Sequence, residues 1–128
     1  MWLEASEEAE ELSLTVHYSR GGTEAGPRVA ELVIDRSQAF GLVGFEAGPA
    51  AVSAGKQVVV QEPSSEQLRV LLFSPASATE IESGVLATIK LHHETGARGT
   101  LDLNTSKPLF APASVNEGLA IGDPLLVD

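Results

Sequence analysis

Apolar and polar residues alternate with a period of two along most of the chain, and this pattern predicts β-strands. In the segment ELSLTVHYS, every second residue from Leu12 to Tyr18 is apolar, and the residues between them are polar. This alternation is typical of a strand with one buried face. The pattern recurs in AELVID, LRVLLF, GVLATIKLHH and GTLDLN. The chain is therefore expected to consist almost entirely of strands.

Turn-forming segments separate these runs. They are rich in Gly, Pro, Ser and Asn and cover residues 19–27, 47–56, 62–67, 94–99 and 116–124. Further short β-rich runs at 58–61, around Phe110 and at 124–127 bring the total to eight or nine candidate strands. Regularly spaced strands of this kind predict an all-β fold, a nine-stranded β-sandwich with jelly-roll topology. The segment SEEAEE has helical propensity but no apolar stripe, so no helical layer is expected.

Length and composition favour one domain. The 128 residues, 43% of them hydrophobic, suffice for a single closed core. We therefore predict one domain over residues 1–128. Five of the first eleven residues are Glu, so residues 1–11 are expected to form either a partly ordered acidic leader or the first strand.

The charge balance narrows the classes of partner. Eighteen acidic residues against eight Lys and Arg give a formal charge of −10, which disfavours binding to nucleic acid and to anionic membranes. No stretch approaches the roughly 20 consecutive apolar residues that a membrane-spanning helix needs. Cysteine is absent, so neither a disulfide nor a thiolate site is available.

The sequence contains no pattern that predicts catalysis or a metal site. There is no Gly-x-Ser-x-Gly motif, and acidic pairs such as Glu80 and Glu82 are expected by chance in so acidic a chain. His92 and His93 are adjacent on a strand and face opposite sides, so they cannot share an ion directly. We interpret both as a solvated strand end, and His17 as a surface residue. The prediction is a protein that is not an enzyme, without catalytic residues, metal or cofactor.

Aromatic residues bear on a second class of function, carbohydrate binding. With Tyr18, Phe45 and Phe73 expected in the core, only Trp2, Phe40 and Phe110 are left to stack on a sugar ring. These positions are far apart in the chain, which disfavours a flat three-ring platform. A carbohydrate-binding β-sandwich therefore remains an alternative, as does a structural spacer or assembly domain.

Two longer segments resemble cohesin modules, the family of dockerin-binding domains. In PRVAELVIDRSQAFGLVGFEAGP an alternating strand ends at an acidic corner, Asp35, and a second apolar run follows through Phe40, Leu42 and Phe45. Arg36 stands where the family commonly has Pro, which would otherwise fix φ at this turn. The segment EQLRVLLF, followed by SGVLATIKL, resembles later strands of the same module. We expect the second apolar run to re-enter the core.

The resemblance implies both a function and a site. It implies a nine-stranded jelly roll that binds a dockerin-type module, with calcium held by the dockerin and none by this chain. It also implies a location outside the cell or at its surface, within a larger exported protein. The implied partner-binding residues are Val29, Glu31, Val33, Arg69, Leu71, Ser74, Pro75 and Ser77. Independently of the family, Val29, Val33 and Leu71 form apolar positions on the predicted outward side of two strands, as at partner surfaces.

Overall fold

The computed structural model describes residues 1–8, 10–19, 27–37, 40–74, 79–93, 99–103, 109–111 and 122–127. These residues form strands and one short helix. In chain order the elements are β1 (Trp2–Glu8), β2 (Glu11–Tyr18), β3 (Val29–Arg36), β4 (Phe40–Ala47), α1 (Pro49–Ser53), β5 (Gln57–Ser64), β6 (Gln67–Phe73), β7 (Gly84–His93), β8 (Gly99–Leu103), β9 (Leu109–Ala111) and β10 (Leu125–Val127).

The strands form two sheets with antiparallel pairing. The first sheet has the order β1-β2-β7-β4, and the second has the order β10-β8-β3-β6-β5. β9 also pairs with β3, at Val29–Glu31, whereas β8 pairs with β3 at Ile34–Arg36. Strand β6 pairs with β3 along its other edge. Strands β8 and β9 therefore lie one after the other along the same edge of β3. If β8 and β9 are counted as one interrupted strand, the described part of the chain has nine strands. The predicted β-sandwich is confirmed.

The predicted alternation places the core between the sheets. In β2, β3 and β6, every second residue is buried and the residues between are not. The apolar faces of β2 and β7 from the first sheet meet those of β3 and β6 from the second. The core consists mainly of aliphatic side chains, among them Leu12, Leu14, Val16, Ala30, Leu32, Ile34, Leu68, Val70, Leu72, Ile89 and Leu91.

Strand β7 departs from a simple alternation. Strict alternation in GVLATIKLHH would bury Val85, Ala87, Ile89 and Leu91. In the structure, Leu86 is also buried and Val85 is only half-buried. The cause is a bulge in the pairing with β2, where Val16 faces Ala87 and His17 faces Val85. An extra residue on one strand shifts the side-chain parity beyond it.

One local prediction needs correction. The ten residues 47–56 were expected to form a turn, but they contain helix α1, which has Pro49 in its first turn and Gly55 (φ 69°) just beyond its end. Pro at the start and a left-handed Gly after the end are typical helix boundaries. At the N-terminus, residues Trp2–Glu8 form strand β1.

The predicted distribution of aromatic residues was largely wrong. Tyr18 is buried as expected, but Phe45 is 42% exposed, Phe73 is 36% exposed, and Phe40 is buried at 2%. Phe73 lies on the outward side of β6. After a bulge between Leu42 and Gly44, Phe45 pairs with the buried Ile89, but β4 is the edge strand of its sheet and leaves the Phe45 ring partly uncovered. The second apolar run therefore enters the core through Phe40 and only partly through Leu42.

Arg36, which stands where cohesins commonly have Pro, fixes the corner after β3 by a network of hydrogen bonds. Its buried guanidinium donates from Nη1 to the Phe40 carbonyl at 2.9 Å, and from Nη2 to Glu62 Oε2 at 2.6 Å and to the Ser64 carbonyl at 2.9 Å. Its backbone N–H donates to the Glu66 carbonyl at 2.8 Å. The corner after β3 is therefore tied both to β4 and to the β5–β6 hairpin.

His93 is not at a solvated strand end, whereas His92 is exposed as predicted. The His93 ring is buried at 3% exposure and stacks on Phe40, with 5.0 Å between ring centroids. Its Nδ1 lies 2.5 Å from Glu7 Oε1 on β1, and its backbone N–H donates to the Glu10 carbonyl. The β1–β2 hairpin covers this end of β7, which the strand pattern alone does not indicate.

We expect Gly48→Ala to destabilise the fold. Gly48 lies between β4 and α1, and an added Cβ would overlap the Val85 carbonyl on β7. Relieving this overlap requires a backbone shift, which costs about 1–3 kcal/mol. The matched control is Gly41→Ala on β4, where no atom lies within 4 Å of the added carbon. Urea unfolding should show a lowered midpoint for Gly48→Ala alone, and equal midpoints for the two variants would contradict the packing described here.

A second prediction concerns the Arg36 network. Arg36→Met should lower the free energy of unfolding by about 2–4 kcal/mol, because buried carbonyls lose their donors and the corner loses its link to the hairpin. The control is Arg69→Met, which breaks a more exposed ion pair with Glu31 and should cost less than about 1 kcal/mol. Similar small losses in both variants, measured by denaturant unfolding, would argue against an anchoring role for Arg36.

Candidate functional site

The structure brings five of the predicted site residues together on the outward side of β3 and β6. Val29, Glu31 and Val33 alternate along β3 with the buried positions, and Arg69 and Leu71 do the same on β6. In the antiparallel register Glu31 faces Leu71, and Val33 faces Arg69. Residues paired in this way have Cβ atoms about 5 Å apart and form one continuous surface. We refer to this surface, with Phe73 added below, as the β3–β6 outer face.

The three remaining predicted residues lie beyond β6. Ser74 directly follows the strand and is half-buried. Pro75 and Ser77 lie outside the described residues, so their assignment to the site stays a prediction.

An ion pair crosses the middle of the β3–β6 outer face. Arg69 Nε donates to Glu31 Oε1 at 2.7 Å, and both side chains are partly exposed. The pair runs diagonally between neighbouring strands, since neither residue directly faces the other in the register. The two charges largely neutralise each other, so the surface around them is less polar than the sequence indicates.

Two apolar residues of this surface are not among the site residues predicted from the sequence. Phe73 follows Leu71 by two positions and so shares its outward side. Val59, on β5, faces Leu71 across the next pair of strands and is half-buried. The period of two in LRVLLF was sufficient to place Phe73 outward, but its aromatic character favoured the core. Val59 lies within a Val-Val-Val run, in which parity cannot be read from the residue types.

The far end of the same sheet surface is polar. Gln67 Nε2 donates to Asp35 Oδ1 at 3.1 Å, next to a cleft of about 710 Å³. The cleft is lined by Asp35, Arg36, Ser37, Ser64, Glu66, Gln67, Thr100 and Asp102. The surface thus changes along β3 from an apolar end, at Val29 and Phe73, to an acidic end at the corner.

The outer face of the first sheet has a different character. Its outward positions on β1 and β2 carry Trp2, Glu4, Ser6, Ser13, Thr15 and His17. Of the three aromatic residues expected to be free for sugar stacking, Trp2 is 37% exposed and Phe40 is buried. The side chain of Phe110 lies outside the described residues. Of these three residues, the described part of the chain therefore shows one exposed ring, that of Trp2.

In the part of the chain that the structure describes, no group of three or more His, Cys, Asp or Glu residues is arranged to hold a metal ion. Among the same residues, no helix has the length and apolar character needed to cross a membrane.

Comparison with solved structures identifies the fold. The sixth cohesin of scaffoldin B from Acetivibrio cellulolyticus, solved in complex with a mutant dockerin, matches with a TM-score of 0.71 and 15% identity over 89% of this chain and 86% of that chain. A cohesin module of a family 33 glycoside hydrolase from Clostridium perfringens gives a TM-score of 0.67 and 17% identity over 89% and 83% of the two chains.

A third match is a cohesin from an archaeon. The non-cellulosomal cohesin from the archaeon Archaeoglobus fulgidus gives a TM-score of 0.58 and 13% identity over 80% of this chain and 72% of that chain. The sequence matches no protein-family model and no curated protein. The chain therefore has the cohesin fold, which confirms the fold expected from the resemblance. At such low identity the similarity is one of fold.

Proposed function

We propose that this chain is a non-catalytic protein-interaction module that binds a dockerin-type module through the β3–β6 outer face. The observation that carries the proposal is the apolar surface formed by Val29, Val33, Leu71 and Phe73 on two central strands of the second sheet. The cohesin fold supports the partner class, since a matching cohesin was solved with a dockerin bound. Calcium, where binding needs it, would be held by the dockerin.

The exposure of this surface is the physical reason to expect a partner. Val29 is 43% exposed and Phe73 is 36% exposed, although both lie on a regular sheet whose other side is fully packed. Covering apolar surface stabilises a complex by about 25 cal/mol per Å² before the costs of association are subtracted. An apolar surface with polar groups at its edge, here Gln67 and Asp35, is typical of protein interfaces.

The same proposal covers the location of the protein. A module of this type acts within a larger exported or surface-bound protein, where its role is to hold another protein in place. A carbohydrate ligand or a purely structural role would not require the apolar residues of the β3–β6 outer face to be exposed.

Leu71→Asp should abolish binding while leaving the fold intact. A carboxylate at the centre of the interface would be desolvated without a partner, so we expect at least a 100-fold loss of affinity, equivalent to about 2.7 kcal/mol. Val33→Asp should weaken binding by less, because Val33 faces Arg69, which can pair with the new carboxylate. The control is Val43→Asp on β4, an exposed apolar residue (64%) of the first sheet, which should bind like the unmodified protein. Calorimetric titration with purified dockerin modules of several types measures the three affinities.

Two outcomes would contradict the assignment. If a dockerin binds and Leu71→Asp retains its affinity, the β3–β6 outer face is not the binding site. If no dockerin in the panel binds, the partner class is wrong, and the apolar surface must have another occupant.

A further prediction concerns the ion pair within this surface. Because Glu31 and Arg69 neutralise each other, Arg69→Glu alone should weaken binding at least tenfold, by placing two carboxylates side by side in the interface. The double variant Glu31→Arg with Arg69→Glu restores a neutral pair and should recover affinity to within about threefold. If the double variant does not regain affinity in the same titration, the partner contacts the individual charges of Glu31 and Arg69 and not only a neutral pair.

A further inference from the structure

We infer that a second binding site, for the neutral sugar units of a polysaccharide, lies on the outer face of the first sheet at Trp2, Glu4 and His17. We call these three residues the Trp2 cluster. It lies on the opposite sheet from the β3–β6 outer face and does not depend on the proposed function.

The Trp2 cluster is held together by its own contacts. Trp2 faces His17 directly across the β1–β2 pair, and their rings stack nearly parallel, with 4.9 Å between centroids and 3° between planes. The indole N–H donates to Glu4 Oε1 at 3.3 Å. Glu4 Oε2 lies 3.3 Å from His17 Nε2, an electrostatic contact that is not aligned as a hydrogen bond. The ring and the carboxylate are thus fixed next to each other.

This arrangement matches the chemistry of a sugar. The C–H face of a pyranose packs against an aromatic ring, while its hydroxyl groups donate to a nearby carboxylate. Trp2 is 37% exposed, and the Glu4 side chain is 65% exposed, so both remain accessible although one side of the indole is covered by His17. A ring held in place by stacking loses little conformational entropy when a ligand binds.

The surroundings of the Trp2 cluster favour an extended, uncharged ligand. Glu4 faces Thr15, and Ser6 faces Ser13, in the next pairs along the hairpin. These short side chains offer hydroxyl groups that can donate and accept hydrogen bonds. The net charge of −10 disfavours anionic polysaccharides. A quaternary ammonium is disfavoured because it is bound by a cage of several aromatic rings, and among the described residues this surface exposes one indole, that of Trp2.

The sequence contains a single tryptophan, so indole fluorescence reports on this site alone. Soluble oligosaccharides of glucose, xylose, mannose and N-acetylglucosamine, titrated up to about 10 mM to detect weak binding, should include one that changes the fluorescence saturably. Trp2→Val, read by calorimetry, should lose this binding, and Glu4→Gln should weaken it at least tenfold. The matched control is Phe45→Val, which removes a similarly exposed ring (42%) from β4 of the same sheet and should leave sugar binding unchanged.

Several results would overturn the inference. These are the absence of a saturable change with every oligosaccharide, retention of binding in both Trp2→Val and Glu4→Gln, or loss of binding in Phe45→Val. A saturable response to choline chloride alone would identify a cation site instead. Trp2→Val should bind a dockerin as the unmodified protein does, so failure of the sugar site and failure of the β3–β6 outer face are separate results.

Discussion

The pairing of β3 with β6 is the constraint on which the rest of the structure depends. The register that sets Leu32 against Val70 in the core also sets Glu31 against Leu71 on the outside. A slip of one residue would turn the buried faces outward and destroy both the core and the outer surface. Arg36 contributes to holding this register, because its side chain and its backbone N–H both bind the β5–β6 hairpin at the end of β3.

The two outer faces of the sandwich differ in the side chains that they expose. The second sheet exposes apolar side chains around a self-neutralised ion pair, and this suits a protein partner whose surface excludes water. The first sheet exposes short polar side chains and one stacked indole, which suits a ligand rich in hydroxyl groups. A module with both properties could hold a protein on one side and a polysaccharide on the other, without any catalytic group of its own.

Most of the fold followed from the period of two, because burial of one strand face leaves a direct pattern in the sequence. The outward positions of β3 and β6 were predicted for the same reason. Phe73 was misplaced because residue type was given more weight than parity. Phe45 was misplaced because the position of β4 at the edge of its sheet cannot be seen in the sequence. Helix α1 was missed although Pro49 and Gly55 mark its ends, since five residues are too few to show a helical period. The burial of His93 and the contacts of Arg36 depend on segments distant in sequence, so no local pattern predicts them.

The central claim is that a dockerin-type module covers the β3–β6 outer face, and methyl NMR tests it most directly. Each Val and Leu residue carries methyl groups whose NMR signals shift when a partner contacts that residue. Addition of a dockerin that binds should shift the signals of Val29, Val33, Val59 and Leu71, and leave those of the more exposed Val43 and Val52 in place. Shifts confined to Val43 and Val52, or an absence of shifts with every dockerin tested, would contradict the account.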